Sequence, residues 1–178
     1  MNIIKTDIEG VFIIEPKVLG DERGYFMECF RDDCVKKHIG DISFVQDNES
    51  CSGYGVLRGL HFQKEPYAQT KLVRVITGEV LDVAVDIRKG SPTYGKHVAI
   101  KLSSENKRQL FIPKGFAHGY AVLSENAIFS YKCDQYYHPE CEGGIAYDDE
   151  ALEIDWMLLK EDLILSTKDK HHPLLSEL

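Results

Sequence analysis

The sequence predicts an all-β protein, built as a sandwich or a barrel. Many short segments are rich in β-branched and aromatic side chains, which is typical of strands. Turns containing glycine or proline separate these segments, and only one stretch has the character of a helix. The 178 residues are expected to form a single domain, residues 1–178, which is large enough for a substantial hydrophobic core.

The predicted elements follow the chain in order. The first strand covers Val11–Glu15, and the turn sequence DERG leads into a second strand over Tyr25–Phe30. A short peripheral helix is predicted over Asp32–Ile39, because it begins with aspartates and is followed by Gly40. Further strands are predicted over Phe44–Ser50, Val56–Gln63, Lys71–Thr77, Glu79–Arg88, His97–Leu102, Ala121–Leu123, Ala127–Lys132 and Ile145–Tyr147, and Gln109–Ile112 leads into the segment Pro113–Tyr120. The last thirty residues read as a loop-rich segment that wraps the rest.

The strand predicted over Glu79–Arg88 has the clearest pattern. Its apolar and more polar side chains alternate with a period of two, with Leu81, Val83, Val85 and Ile87 on one face and Asp82, Ala84, Asp86 and Arg88 on the other. The apolar face is expected to meet the core. The other face is either exposed or lines a wet interior, since alternation permits both in a barrel.

Composition narrows the range of functions. With 21 Lys and Arg against 29 Asp and Glu, the formal net charge is −8, which argues against nucleic acid or an anionic membrane as the main partner. The N-terminus carries early charges and does not resemble a signal peptide, and no apolar stretch is long enough to span a bilayer. Five scattered cysteines without a CxxC motif indicate reduced thiols, and hence a cytoplasmic protein.

The stretch Gly55–Gly78 resembles part of the metal motif of cupins, a jelly-roll family. That motif reads roughly G…HxH followed by a Glu, and a second segment reads PxG, two residues and a His. His61 and Gln63 stand at the two histidine positions of the first segment, and Lys71 stands at the glutamate position. The second segment matches PKGFAH, which ends at His118. Two of the four usual ligands are therefore replaced.

A lysine at a ligand position argues against a metal. Its ammonium group has no lone pair to offer, and its charge repels a divalent cation. The sequence therefore predicts a cupin-like pocket without a metal, in which Lys71 supplies a fixed positive charge.

A histidine beside a lysine suggests proton abstraction next to a carbonyl group. His61 would remove the α-proton, and Lys71 would stabilise the enolate oxygen. Tyr131 is a candidate to return a proton to the opposite face; it could also be a core residue, but the density of ionisable residues at the ends of apolar strands favours function. A carboxylate is expected behind the histidine. Four acidic residues are candidates for it: Asp82, Asp86, Glu142 and Asp169.

Over nearly its whole length the chain resembles the dTDP-4-dehydrorhamnose 3,5-epimerase family. The segments that carry the resemblance occur in the family's order, namely FIIEPKVLGDERGYFME, FVQDNES, VLRGLHFQ, KLVR, GEVLDVAVDIRKGSPTYG, SSENKRQLFIPKGFAHGY and LSTKD. The resemblance implies a cupin-like jelly roll, a homodimer, and no cofactor or metal. It also implies a dTDP-linked 4-keto-6-deoxyhexose as substrate, inverted at C3 and C5 to give dTDP-4-dehydro-L-rhamnose.

The resemblance also implies roles for individual residues. His61 would be the base with Asp169 as its partner, Tyr131 the acid, and Lys71 the support of the enolate. The diphosphate would bind to Arg58 and to Arg23, which the local sequence alone indicates only as a solvated turn residue. Tyr137 would stack on the thymine ring. The remaining substrate contacts would be Glu28, Gln46, Asn48, His118, Glu142 and Lys168. For Gln46 and Asn48, the residues themselves fit a turn equally well.

Two alternatives remain open at the level of the sequence. One is another enzyme on the same scaffold, either an epimerase for C3 or C5 alone or a 3,4-ketoisomerase. The other is a jelly roll that binds a sugar or a nucleotide without catalysis. Uptake of solvent deuterium separates the first alternative from the double epimerase, and the effect of replacing His61 separates the second.

Overall fold

The computed structural model describes residues 1–178 and consists mainly of antiparallel strands. One α-helix, α1, covers Asp32–His38. The thirteen strands, numbered β1 to β13 along the chain, are Asn2–Lys5, Phe12–Glu15, Val18–Asp21, Gly24–Met27, Gln46–Gly53, Leu57–Gln63, Lys71–Thr77, Glu79–Asp86, His97–Ser103, Gln109–Ile112, Phe116–Val122, Asn126–Cys133 and Glu142–Gly144. Short 3-10 turns cover Pro139–Cys141, Glu150–Leu152, Lys160–Asp162, Asp169–His171 and Leu175–Glu177. No helix has the length and apolar character needed to cross a membrane.

The strands form two main sheets. A six-stranded sheet has the order β1-β2-β10-β7-β12-β5, and a five-stranded sheet has the order β13-β6-β11-β8-β9. Strands β3 and β4 form a separate hairpin. Neighbouring strands within each sheet often lie far apart in sequence, so the double-sheet fold brings distant segments together, as in a jelly roll.

The main core lies between the two sheets. Facing side chains from both sheets fill it: Val73, Val75, Leu110, Ile112, Ala127 and Phe129 from one, and Val80, Ala84, Leu102, Phe116, Tyr120 and Val122 from the other. Full burial of one large apolar side chain contributes about 1.5–3 kcal/mol relative to exposure. This core therefore holds the two sheets, and the groups between them, in a fixed relation.

Each sheet also has a covered outer face. The C-terminal segment packs on the five-stranded sheet, where Ile145, Leu152, Trp156 and Leu175 join one cluster with Leu81, Val83 and Val85. The region around α1 covers the six-stranded sheet through Phe30, Ile39 and Phe44. The C-terminal segment is thus a loop-rich wrap, as predicted, and it carries Asp169 to the edge of the interior.

Strand β8 shows how the sequence pattern translates into the fold. Both faces are buried, because the C-terminal segment covers one face and the interior of the protein lies against the other. Asp82 points to the interior face and is fully buried. Of the two possibilities for this polar face, the structure confirms the interior one.

Some predicted boundaries are wrong. The strand expected over Ile145–Tyr147 lies instead at Glu142–Gly144, where two glycines pair with β6. A Cβ on Gly143 would lie 2.6 Å from the Phe62 ring, and a Cβ on Gly144 would lie 2.3 Å from the His172 ring. Large neighbouring rings therefore select glycines for this strand, and local propensity does not show this. The strand predicted over Tyr25–Phe30 ends earlier, at Met27, and forms an exposed hairpin with β3.

Candidate active site

Two histidines of the site lie on the paired strands β6 and β11 of the five-stranded sheet. His61 on β6 lies directly opposite His118 on β11. Close to this point a Cβ on Gly59 would lie only 2.5 Å from the Cα atom of Gly119. Two glycines are therefore needed for the strands to approach closely, and this approach brings the two histidines side by side.

His61 is held by a carboxylate from the C-terminal segment. Its Nε2 atom lies 2.5 Å from Oδ1 of Asp169, which is almost fully buried. Burial acts to raise the pKa of Asp169, but the hydrogen bond and charge of His61 outweigh it and the pKa is lowered. An ionised carboxylate can only accept, so the proton resides on Nε2. The Nδ1 atom of the neutral ring is then the one able to take a proton.

Lys71 and Tyr131 come from the opposite sheet. They lie on the neighbouring strands β7 and β12, and the Lys71 ammonium is 6.0 Å from the centre of the Tyr131 ring. Burial lowers the pKa of Lys71 and raises the pKa of Tyr131 to about 12. The phenol therefore keeps its proton at neutral pH, and the ammonium is a poorly solvated cation that gains from an anionic partner.

His118 has a carboxylate of its own. Its Nε2 atom lies 2.9 Å from Oδ2 of Asp82, and both side chains are buried. Burial lowers the pKa of His118, and the nearby charge of Asp82 opposes this only in part. The site therefore contains two histidine–carboxylate pairs, whose histidines lie on the adjacent strands β6 and β11.

Two adjoining cavities meet at the residues described above. One has a volume of about 310 Å³ and the other about 320 Å³, and His61, Lys71 and Tyr131 line both. The first is also lined by Gln46, Asn48, Gln69, Tyr137 and Glu142. The second is also lined by Glu49, Arg58, His118, Ser166, Lys168 and Asp169. The three shared residues thus stand at the centre of one continuous cleft.

A chain of polar contacts forms the rim of the cleft. The Tyr137 hydroxyl donates to Glu142 over 2.8 Å, and the Lys168 ammonium lies 2.5 Å from the other Glu142 oxygen. Burial acts to raise the pKa of Glu142, but Lys168 and Tyr137 lower it overall. The Gln63 side-chain amide donates from its nitrogen to the His138 carbonyl oxygen and accepts at its oxygen from the His138 N–H, and His138 is the residue after Tyr137. Gln63 therefore anchors the loop that carries Tyr137.

Arg58 is a cation without a carboxylate partner. Its guanidinium group donates to the hydroxyl of Ser52, from Nε over 3.2 Å and from Nη2 over 3.1 Å. Because a hydroxyl does not neutralise the charge, Arg58 is available to bind an anion in the second cavity.

Two predicted substrate contacts lie outside the cleft. Arg23 sits in the β3–β4 turn, where it pairs with Asp21 and its side chain is 84% exposed. Glu28 follows this hairpin and lines a separate surface cavity with Leu19 and Phe26. Within this chain, the structure does not bring either residue to the cleft.

The other predicted site residues come together, and the structure separates the four candidate carboxylates. Asp169 lies behind His61, Asp82 behind His118, Glu142 on the rim, and Asp86 binds Arg88, Ser91 and Thr93. The sequence does not indicate that Asp82 pairs with His118 or that Gln63 anchors the loop that carries Tyr137. The only sequence signals were the alternating pattern of β8 for Asp82 and the cupin-like motif for Gln63.

These features define a class of protein: a cupin-like jelly roll with an acid–base site. The model of the family described as dTDP-4-dehydrorhamnose 3,5-epimerase matches residues 5–177. The chain belongs to this family of isomerases.

Individual relatives agree with this assignment. The dTDP-4-dehydrorhamnose 3,5-epimerase of Shigella flexneri is 56% identical over 95% of this chain and 93% of its own. The structure of the dTDP-6-deoxy-D-glucose-3,5-epimerase of Legionella pneumophila, in complex with dTDP-4-keto-L-rhamnose, superimposes with a TM-score of 0.95 at 56% identity, covering 98% of this chain and 93% of that one. A 3'-monoepimerase from Streptomyces bikiniensis, in complex with dTDP-quinovose, is more distant, with a TM-score of 0.90 and 31% identity over 97% of this chain and 87% of that one.

Proposed function

We propose that the protein inverts C3 and C5 of dTDP-4-dehydro-6-deoxy-D-glucose to give dTDP-4-dehydro-L-rhamnose, a step of dTDP-rhamnose biosynthesis. The observation that carries this proposal is the placement of His61 and Tyr131 on opposite sheets, facing one shared cavity. A base on one side of a sugar ring and an acid on the other are what inversion at carbon requires.

The first step breaks the C–H bond at C3, next to the C4 ketone. Nδ1 of His61 takes the proton, and the bonding electron pair moves into the enolate, leaving a negative charge on the C4 oxygen. Asp169 stabilises the imidazolium that forms, since it already accepts from Nε2. The ammonium of Lys71, whose pKa is lowered by burial, stabilises the enolate oxygen.

The second step returns a proton from the other side. The Tyr131 hydroxyl gives its proton to the carbon, and the C4 ketone re-forms. The pKa of about 12 keeps this hydroxyl protonated until the basic enolate carbon is in place. The nearby Lys71 charge then stabilises the phenolate. Exchange with water resets His61 and Tyr131, and the same sequence at C5 completes the double inversion.

The charged rim binds the rest of the substrate. Arg58 and Lys168 both line the second cavity and bind the diphosphate. Tyr137, hydrogen-bonded to Glu142, stacks on the thymine ring. Gln46, Asn48, Glu142 and His118 provide polar contacts in the two cavities. The reaction uses no metal or other cofactor, because one ketone acidifies both C–H bonds and Lys71 supplies the positive charge.

The working unit is a homodimer. The β3–β4 hairpin exposes Leu19, Tyr25 and Phe26, which a second copy would cover. Arg23 and Glu28 belong to the same region and lie outside their own cleft. In a dimer they contact the substrate held by the partner copy. Sedimentation measurements test the dimer, and a monomer at working concentration would contradict it.

Solvent deuterium tests the reaction. The substrate is incubated with the enzyme in D₂O, and the product is analysed by mass spectrometry and proton NMR. Label at both C3 and C5 is expected, because each carbon receives its new proton from a group that exchanges with solvent. His61→Asn should remove the exchange at both carbons while dTDP still binds.

The principal alternative is inversion at one carbon, because an enzyme of this fold with that activity has been solved. The structure resembles that of a 3'-monoepimerase with a TM-score of 0.90. Label at C3 alone would support this alternative and contradict the double inversion. Absence of label at both carbons, with dTDP bound, would indicate a binding protein without catalysis.

A further inference from the structure

A second histidine lies beside the His61–Asp169 pair, and the proposed reaction does not use it. The Nε2 atom of His172 is 3.4 Å from Oδ1 of Asp169, the same oxygen that His61 approaches. The two imidazole rings meet edge to face, with their centres 5.4 Å apart. The His172 side chain is only 11% exposed, yet its Nε2 atom has no hydrogen-bond partner.

We propose that His61, Asp169 and His172 form a site for a zinc-like divalent metal, and that binding of the metal inhibits the enzyme. One ligand atom from each residue lies within 4.8 Å of the other two. Two imidazole nitrogens and one carboxylate oxygen are a donor set that zinc uses in proteins, with a fourth position left open. Here the open position would face the substrate cleft, since His61 and Asp169 line it.

The distances fit an ion after a small movement. Bonds of about 2.0–2.1 Å in tetrahedral geometry place neighbouring ligand atoms about 3.3 Å apart. The His172 and Asp169 atoms are already 3.4 Å apart, while the His61 and Asp169 atoms, at 2.5 Å, must separate. The His172 ring packs against Gly144, where a Cβ would lie 2.3 Å from it. This contact holds its Nε2 atom towards Asp169.

The charged groups near the site are also compatible with a bound cation. Lys168 precedes Asp169 in the chain, but Glu142 lies 2.5 Å from its ammonium and offsets its charge. The cupin-like side of His61 is less suitable, because Lys71 is a cation and the Gln63 amide is bonded to the backbone of His138. The metal is therefore expected on the Asp169 side of His61.

A metal at this position would stop proton abstraction. To bind through Nε2, the neutral His61 ring must carry its proton on Nδ1, the atom proposed to accept the substrate proton. Asp169 would at the same time be withdrawn from its support of the imidazolium. This inhibitory effect rests on the proposed role of His61, whereas binding of the metal does not.

Direct binding measurements test the site. The full-length protein is stripped with a chelator, and Zn²⁺ affinity is measured by competition with a chromophoric chelator. Co²⁺ is then added to observe the visible bands of a low-symmetry site. The wild type is expected to bind one equivalent, and His172→Ala to weaken this binding more than about tenfold. Equal affinity in the wild type and His172→Ala would overturn the proposal, as would lack of binding by the wild type.

His171→Ala is the matched control. His171 is exposed and adjacent, and its Nδ1 atom bonds to the Thr167 carbonyl oxygen over 2.6 Å. This variant should bind Zn²⁺ like the wild type. Asp169→Asn should lose the site as well, which covers the case of a misfolded His172→Ala. A comparable loss in His171→Ala would show non-specific binding and would also overturn the proposal.

Activity provides a separate measurement. Zn²⁺ should inhibit the wild type and His171→Ala, a chelator should restore them, and His172→Ala should resist, each compared with its own metal-free rate. If Zn²⁺ binds through His172 but epimerisation continues unchanged, the inhibitory part is wrong. If no epimerisation occurs in any sample, the proposed function fails while the binding result stands.

Discussion

Replacing Asp169 with asparagine tests the central pair of the site. The 2.5 Å contact joins a buried carboxylate to the ring that becomes an imidazolium in the proposed mechanism. Hydrogen bonds to charged groups contribute about 1.5–3 kcal/mol, and about 1.4 kcal/mol corresponds to tenfold in rate. Loss of this support in the transition state alone therefore predicts a decrease in kcat of about 10- to 100-fold.

A second effect adds to this decrease. The asparagine amide can donate to Nε2, which would place the ring proton on Nδ1, the atom that must be free. In serine proteases a comparable change of tautomer lowers kcat by about 10⁴. The expected decrease in kcat is thus at least tenfold, with the Kd for dTDP unchanged, because Asp169 supports the base and not the nucleotide.

The assay follows epimerisation by proton NMR at saturating substrate and dTDP binding by calorimetry. Glu161→Gln is the matched control, since Glu161 is an exposed acid of the same C-terminal segment. The control should retain wild-type kcat. A kcat for Asp169→Asn within about threefold of wild type would refute the role assigned to this carboxylate.

Three further predictions follow from individual contacts. Tyr131→Phe should lower kcat more than about tenfold, or yield product inverted at one carbon, with little change in dTDP affinity; a normal rate and product would exclude the proposed acid. Arg58→Ala should weaken dTDP binding by about 1.5–3 kcal/mol in calorimetry, and unchanged affinity would contradict the phosphate role. Asp86→Asn should lower the free energy of unfolding at pH 7, measured in urea, by about 2–4 kcal/mol. Although burial opposes it, bonds from Arg88, Ser91 and Thr93 hold the pKa of Asp86 well below its usual value. This stabilisation is present above the pKa of the unfolded chain and decreases as the pH falls below about 4, so a constant difference down to pH 3 would argue against it.

The sequence predicts those features that depend on local patterns. The alternating pattern of β8 predicts that Asp82 points to the face opposite the apolar side chains, and it lies on the interior face. The cupin-like motif with Lys71 at a ligand position predicts the pocket. The partner of each histidine is not a local property. Asp169 and His61 are 108 positions apart, and the closure of the C-terminal segment over the sheet decides that they meet. For the same reason the residues themselves leave four candidate carboxylates, and only the resemblance to the family singles out Asp169.

The features that could not be predicted depend on close contacts between distant segments. The glycine pair at Gly143 and Gly144 resembles a loop in the sequence, but it pairs with β6 as a strand, and the rings of Phe62 and His172 leave room only for glycine at these positions. Likewise, nothing around His172 indicates that it shares an oxygen atom with His61. Such contacts arise only when the C-terminal segment folds back across the edge of the five-stranded sheet.

The cupin-like strands and the C-terminal segment lie on two sides of His61, and together they explain how this residue could act either as a base or as a metal ligand. On its cupin-like side, His61 shares a cavity with Lys71, whose positive charge repels a metal and, in the proposed reaction, stabilises an enolate. On its other side, Asp169 fixes the Nε2 proton and leaves Nδ1 basic. His172 adds a third ligand on that second side. In the proposed mechanism, acid–base catalysis depends on the Nε2 proton remaining in place, and the proposed metal would inhibit by displacing it.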